Sequence, residues 1–162
     1  MSEHSDEWYQ ARYGWEGGKV KSESRKREFG EVLTPRWVVE KMLDMIPDVN
    51  NPDKTVFEPC CGEGAFITSA LRRKLEASRT DLERTRSCQT CYGIDIQYDN
   101  VLICRERLAE IAESFGVELH SAQFIFARNI IHGDMLFFPM IARFYDWKAG
   151  TWTTLEEMES QT

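Results

Sequence analysis

A glycine turn between a short apolar run and a helix pattern constrains the fold of this chain more than any other feature. Thr55-Val56-Phe57 predicts a buried strand, and Glu58 stands at its end. Gly62 and Gly64 follow, just before a helix pattern that begins near Phe66. Glycine adopts positive φ and lets the backbone lie against a ligand, and the first N–H groups of a helix are free. A strand, a glycine turn and a helix start are typical of a nucleotide-type cofactor pocket.

The composition fits one globular domain with a real core. The chain has 162 residues, of which 42% are hydrophobic and 29% charged. It shows neither an apolar run of membrane-spanning length nor a signal-peptide pattern, so we expect a cytoplasmic location. A net charge of −7 argues against holding nucleic acid by bulk electrostatics. The basic clusters at residues 19–27 and 72–74 are therefore interpreted as solvated faces.

The cysteines predict neither a disulfide framework nor a metal site. There are five of them, an odd number, in a chain without a secretion signal. Cys88 and Cys91 have the spacing of half a zinc site, but no second pair of ligands follows at a suitable distance. We expect buried or loop thiols and no metal.

The chain divides into a flexible arm at residues 1–28, a domain at 29–154 and a polar tail at 155–162. The domain begins with a helix whose N-cap is predicted to be Thr34, with Pro35 as its first residue and Ile46 as its last. Strands and helices then alternate, which predicts an α/β fold with a mostly parallel sheet and covering helices. The predicted elements are a strand at 55–57, a helix at about 64–78, a charged connection at 79–90, a strand at 91–96, a helix at about 100–115 capped by Asp99, a short helix at 121–128, a strand at 129–131, and a C-terminal β-hairpin within 141–153.

Acidic residues follow three of the predicted strands. Glu58, Asp95 and Asp134 each stand at a carboxyl end, and these ends share one edge of a parallel sheet. At that edge Asp95 would accept the hydroxyls of a ribose, Asp134 an adenine amino group, and Glu58 the ammonium group of a ligand. Taken singly, each acid could be an ordinary strand-end residue, and the glycines could serve any tight turn.

These residues resemble the class I S-adenosylmethionine (SAM)-dependent DNA methyltransferases of the adenine-N6 type, above all the short methylase-like proteins of restriction-modification systems and phage genomes. Residues 58–66 match the family pattern D/E-P-x-C-G-x-G-x-F, and residues 30–35 are similar to its N-terminal T-P motif. Residues 92–96 resemble the ribose motif and residues 131–136 the adenine motif. The resemblance implies a truncated Rossmann-like domain that binds S-adenosyl-L-methionine. The implied cofactor-binding residues are Thr34, Pro35, Glu58, Cys60, Gly62, Gly64, Phe66, Asp95, Ile96, Asp134 and Met135.

The catalytic motif of that family, N/D-P-P-Y/F/W, is missing. The chain has no Pro-Pro pair, and its nearest echo is Tyr145-Asp146-Trp147. Asp146 and Trp147 are therefore the catalytic candidates, although aromatic packing within a hairpin explains them more simply. Two functions stay open: a DNA methyltransferase, or a SAM-binding subunit, regulator or antirestriction factor without methyl transfer of its own. The expected partners are DNA and either a second copy or a restriction-modification subunit.

Overall fold

The computed structural model describes residues 34–136 and 142–154, together with Ser24, Arg25, Arg27 and Glu157. The chain divides into two units, Met1–Pro47 and Asp48–Thr162, which are described separately. The arm predicted at 1–28 and the tail predicted at 155–162 lie almost wholly outside the described residues, so both stay predictions.

The described part of the first unit is one helix, α1 (Arg36–Asp44). The prediction that Thr34 caps it is wrong, because Pro35 occupies the N-cap and makes no side-chain cap. Pro35 is extended, with φ −55° and ψ 139°, and its carbonyl accepts the first hydrogen bonds of the helix. The helix also ends two residues earlier than predicted, and Ile46 belongs to the tighter turn that follows it.

The second unit contains a three-stranded parallel sheet, helices and a C-terminal antiparallel hairpin, in agreement with the predicted α/β fold. Among the described residues the strand order is β1-β2-β3, and the hairpin pairs β4 with β5. The elements are β1 (Val56–Glu58), α2 (Ala65–Ala77), α3 (Asp81–Gln89), β2 (Cys91–Asp95), α4 (Tyr98–Ser114), α5 (Leu119–Asn129), β3 (Ile130–His132), β4 (Arg143–Asp146) and β5 (Thr151–Thr154).

The two faces of the parallel sheet have different covers. Tyr92 and Ile94 point to one face, where they form a buried cluster with Phe144 of the hairpin. The Phe144 ring stands edge-on to Tyr92, with 5.9 Å between the ring centroids. Gly93, between them in β2, faces the other way and lies against Cys61 of the glycine turn. Helices α2 and α4 pack with each other and against the strands. The hairpin covers the face of the sheet that carries Tyr92 and Ile94.

Two local predictions in this unit are wrong. The charged connection expected at 79–90 contains α3, whose capping box joins Thr80 and Glu83 in both directions. Helix α4 begins before the predicted cap Asp99, because Gln97 is its N-cap and Tyr98 its first residue. The first error is a whole helix missed, and the second is a helix start that no side-chain cap marks.

Lys74 is buried, contrary to the interpretation of residues 72–74 as a solvated basic face. Its side chain is 0% exposed and lies within α2. The ammonium donates hydrogen bonds to the Asn51 carbonyl at 2.9 Å, to the Lys54 carbonyl, and to Thr90 Oγ1 at 3.0 Å. Burial lowers the pKa of Lys74. The lysine therefore ties the segment before β1 to the end of α3.

None of the helices in the described part of the chain has the length and apolar character needed to cross a membrane.

Candidate functional site

The carboxyl ends of the three parallel strands form one edge of the sheet, here called the carboxyl edge. Glu58 is the last residue of β1 and Asp95 the last of β2, while Asp134 lies two residues beyond β3. Partial burial raises the pKa of the Cys60 thiol, which lies in the turn after β1. The negative charges of all three acids raise this pKa further. The structure therefore brings together the acids that the sequence places at strand ends.

The glycine turn requires both of its glycines, for different reasons. Gly62 has φ +52° and Gly64 has φ +89°, a region that side chains with a Cβ rarely adopt. A Cβ on Gly64 would lie 2.7 Å from Cys104 Sγ of α4, whereas one on Gly62 would meet nothing within 4 Å. Gly64 thus lets α2 start close against α4, and Gly62 leaves open space above the turn.

Asp95 holds this turn in place. One carboxylate oxygen, Oδ2, accepts a hydrogen bond from the Gly62 N–H at 2.8 Å. The other, Oδ1, accepts from the Gln97 N–H at 2.8 Å and from Asn100 Nδ2 at 3.3 Å. A carboxylate offers about four acceptor positions, so this buried group retains room for about one further donor. The sequence indicates Asp95 as a ligand contact but not as the anchor of the turn.

Glu58 is the least satisfied group at the carboxyl edge. Its carboxylate receives a hydrogen bond from the Ile67 N–H, in the first turn of α2. Its Oε2 is buried and has no hydrogen-bond partner among the described residues. Burial, helped by the charge of Asp95, raises the pKa of Glu58 from 4.5 to about 7. A cation placed at Oε2 would relieve both the missing hydrogen bond and the cost of ionisation.

The remaining residues expected at the edge have mixed surroundings. Asp134 Oδ1 accepts from the Leu136 N–H at 2.9 Å, while the Ile96 side chain is 41% exposed. Met135 packs against the buried cluster under the hairpin. Cys60 is exposed and Phe66 half-buried. Thr34 and Pro35 belong to the first unit and precede α1.

Two aromatic side chains at the carboxyl edge were missed by the sequence reasoning. The Tyr98 ring is 55% exposed and stands edge-on to His132, with 5.5 Å between the ring centroids. The Nε2 atom of His132 lies 3.0 Å from the Ile96 carbonyl oxygen. Their positions in the sequence could have indicated them, since Tyr98 and His132 each lie within three residues of Asp95 or Asp134.

The structure does not bring the catalytic candidates to this edge. Asp146 Oδ1 accepts from the backbone N–H groups of Lys148 and Ala149, which closes the hairpin turn. Trp147 Nε1 donates to Asn129 Oδ1 at 2.8 Å. Asn129 immediately precedes β3 and also donates to the Cys91 carbonyl at the start of β2. Trp147 is therefore at the opposite, amino edge of the sheet.

Among residues 34–136 and 142–154, no group of three His, Cys, Asp or Glu side chains could hold a metal ion.

Comparison with known proteins identifies the family. Residues 19–117 match the N-6 DNA Methylase family, which is more than half of the chain. The chain belongs to the N-6 DNA methylase family. This confirms the resemblance to adenine-N6 methyltransferases on which the expectations for the carboxyl edge rest.

Two curated relatives come from type II restriction-modification systems. The chain is 44% identical over 69 residues to the type II restriction enzyme and methyltransferase RM.BcgI of Heyndrickxia coagulans. The aligned region covers 42% of this chain and 10% of the relative. It is 31% identical over 90 residues to the type II methyltransferase M.VspI of Vibrio sp. (strain 343), an alignment that covers 56% of this chain and 19% of the relative. The chain thus spans less than a fifth of the length of these relatives. No solved structure matches the chain.

Proposed function

We propose that residues 29–154 form a Rossmann-like domain that binds SAM at the carboxyl edge, within an adenine-N6 DNA methyltransferase of restriction-modification type. Family membership supports the class of chemistry. The strand order β1-β2-β3 corresponds to one half of a doubly wound fold. Bound SAM would supply an activated methyl group for transfer to a nucleophile.

The observation that carries the proposal is the buried, unpartnered Oε2 of Glu58 beside the glycine turn. An isolated buried carboxylate is costly, and a site that leaves one unpaired is suited to a cationic ligand. SAM carries such a group, its α-ammonium, on the methionine part. No basic side chain within the described residues makes an ion pair with Glu58, which leaves this position to a ligand.

The other residues of the edge fit the rest of the cofactor. Asp95 would use its remaining acceptor position for a ribose hydroxyl while its other positions hold the turn. Asp134 would accept from the adenine amino group, with Ile96 and Met135 beside the base. Gly62 and Gly64 would let the backbone lie against the methionine part, with Cys60 and Phe66 lining the turn.

Isothermal titration calorimetry with S-adenosylhomocysteine (SAH) tests this proposal. We expect binding by the wild type and at least about tenfold weaker binding by Asp95→Ala, since a charge-assisted bond contributes about 1.5–3 kcal/mol. Glu110→Gln, an exposed acid on α4, is the matched control and should bind as the wild type does. No heat at millimolar SAH would refute the proposal.

A second candidate function is a cofactor-binding subunit or regulator that transfers no methyl group alone. One observation favours it: Asp146 and Trp147, the catalytic candidates, lie in the hairpin and at the amino edge, away from the carboxyl edge. The exocyclic amine of adenine is a weak nucleophile and needs acceptors for its hydrogens. A second copy or a restriction-modification partner would then supply them. Transfer of tritiated methyl from SAM to unmethylated DNA by the purified chain would exclude this alternative, whereas cofactor binding without transfer would support it.

A further inference from the structure

We propose that Arg107 of α4 is a positioning residue, which holds the glycine turn in the shape that the methionine part of the cofactor requires. The inference rests on the proposed function, because it assigns a task to a residue outside the motifs of the carboxyl edge. Arg107 bonds to Glu63, the residue that stands between Gly62 and Gly64. It therefore acts on the site through the turn and not by touching the ligand.

Two bonds join the Arg107 guanidinium to the middle of the turn. Its Nη2 atom forms an ion pair with Glu63 Oε2 at 2.9 Å. Its Nη1 atom donates a hydrogen bond to the Glu63 carbonyl oxygen at 3.2 Å. The planar fork of arginine suits such paired bonding. One side chain thus fixes both the main chain and the side chain of the same turn residue.

A turn with two glycines needs such contacts, because glycine loses more conformational freedom on ordering than any other residue. A ligand that must order the turn itself binds more weakly. Asp95 of β2 accepts from the Gly62 N–H, and Thr68 of α2 donates to the Gly64 carbonyl oxygen at 2.6 Å. Glu63, between these glycines, is held from α4. Three different elements therefore fix three consecutive residues.

Helix α4 meets the turn one helical turn before Arg107 as well. The thiol of Cys104 forms a hydrogen bond with the thiol of Cys61, at the start of the glycine turn. The sulfur atom of Cys104 also lies where a Cβ on Gly64 would collide with it. Arg107 thus extends from a part of α4 that already packs on the turn, so its bonds to Glu63 report the position of the turn relative to the helix.

An ordinary surface ion pair in the same chain provides the comparison. Arg86 of α3 pairs with Asp53, and the two side chains are 47% and 58% exposed. Arg107 is similarly exposed at 43%, but Glu63 is only 13% exposed. Solvent therefore screens the Arg107 pair less than the Arg86 pair. Exposed pairs of the second kind contribute little to stability, which makes Arg86 the matched control.

Calorimetry on the full chain with two ligands tests the proposal. SAH carries the amino-acid part, whereas 5′-methylthioadenosine has the same adenosine and thioether without it. Arg107→Met should weaken SAH binding at least about fivefold, which corresponds to about 1 kcal/mol, and leave 5′-methylthioadenosine within about twofold. Arg86→Met should change neither affinity. The thermal midpoint of Arg107→Met should fall by at most about 4 °C, because the arginine is partly exposed.

A double-mutant cycle checks that Arg107 acts through Glu63. Glu63→Gln removes the ion pair but keeps the carbonyl acceptor, so it should weaken SAH binding less than Arg107→Met does. The double variant should bind SAH no more weakly than Arg107→Met alone, because both changes break one contact. Additive losses would overturn the proposal. So would unchanged SAH affinity in Arg107→Met, an equal loss for both ligands, or an equal loss in Arg86→Met.

Amide hydrogen exchange in the ligand-free protein separates this inference from the cofactor proposal. The Gly64 N–H donates to the Cys61 carbonyl at 2.8 Å, and Arg107→Met should speed its exchange at least about fivefold. The Val56 N–H, which donates to the Thr90 carbonyl at the start of β1, should exchange as in the wild type. Faster exchange at Gly64 in a protein that binds no SAH would support Arg107 as the anchor of the turn and refute the cofactor proposal alone. Unchanged exchange at Gly64 would refute the positioning role.

Discussion

Replacing Glu58 with glutamine should flatten the pH dependence of stability in the ligand-free protein and remove its affinity for the cofactor. In the folded protein the pKa of Glu58 is about 7, raised by burial from its ordinary value of 4.5. Because one pKa unit corresponds to about 1.4 kcal/mol, ionising this group in the folded protein costs up to about 3 kcal/mol more than in the unfolded chain.

The sign follows from the raised pKa. Between pH 4.5 and 7 the folded protein binds more protons at Glu58 than the unfolded chain does, so stability falls as pH rises. The loss is complete above the folded pKa. From pH 5 to pH 8 the wild type should lose about 2 to 3 kcal/mol of unfolding free energy through this group. Glu58→Gln carries no charge and should lack this component.

Urea unfolding of both proteins at pH 5, 6, 7 and 8 measures the effect. From pH 5 to pH 8, the unfolding free energy of Glu58→Gln should rise by about 2 to 3 kcal/mol relative to that of the wild type. Glu76→Gln, an exposed acid on α2, provides the control and should run nearly parallel to the wild type. Parallel curves for wild type and Glu58→Gln would show that Glu58 ionises normally, and the argument from its burial would fail.

Because the pKa of Glu58 is raised, cofactor binding should release a proton from it. At pH 6 a group with a pKa of about 7 is about nine-tenths protonated, and an α-amino group is already charged. Pairing Glu58 with the ligand ammonium should therefore release about 0.9 proton per SAH, measured by calorimetry in buffers of different ionisation enthalpy. If no proton is released at pH 6, Glu58 does not pair with the ammonium group of the ligand.

Three further predictions concern the framework of the site. Lys74→Met should cost at least about 2 kcal/mol of unfolding free energy in urea, because its buried acceptors lose their donor; Glu110→Gln, on the surface, should cost almost nothing. Gly64→Ala should lower the thermal midpoint far more than Gly62→Ala, because only its Cβ collides with a sulfur atom of α4; equal losses would mean that positive φ alone matters. Thr80→Ala should cost about 1 kcal/mol by removing the capping box of α3, and an unchanged midpoint would show that the cap is dispensable.

The sequence predicted the parts of the site that depend on local order. Glu58, Asp95 and Asp134 could be placed on one edge, because the end of each parallel strand is readable from a short apolar run followed by an acid. The glycine turn was equally readable, since it occupies consecutive residues. The C-terminal hairpin followed from aromatic-rich flanks around a turn sequence.

The sequence could not reveal contacts between distant segments. The bond from Gly62 to Asp95 spans 33 residues and depends on the pairing of β1 with β2. Likewise Trp147 lies at the amino edge because Asn129, 18 residues earlier, accepts its N–H. Helix α3 was missed for another reason, because its residues are mostly polar and only the Thr80 cap indicates a start.

The central claim, that the carboxyl edge binds SAM, is tested most directly by titrating SAH into ¹⁵N-labelled protein and following the backbone amides. We expect the largest shifts at Gly62, Gly64, Ile96 and Asp134, with little change at Trp147 on the amino edge. Unmoved spectra at millimolar SAH, or shifts confined to residues away from these strand ends, would contradict it.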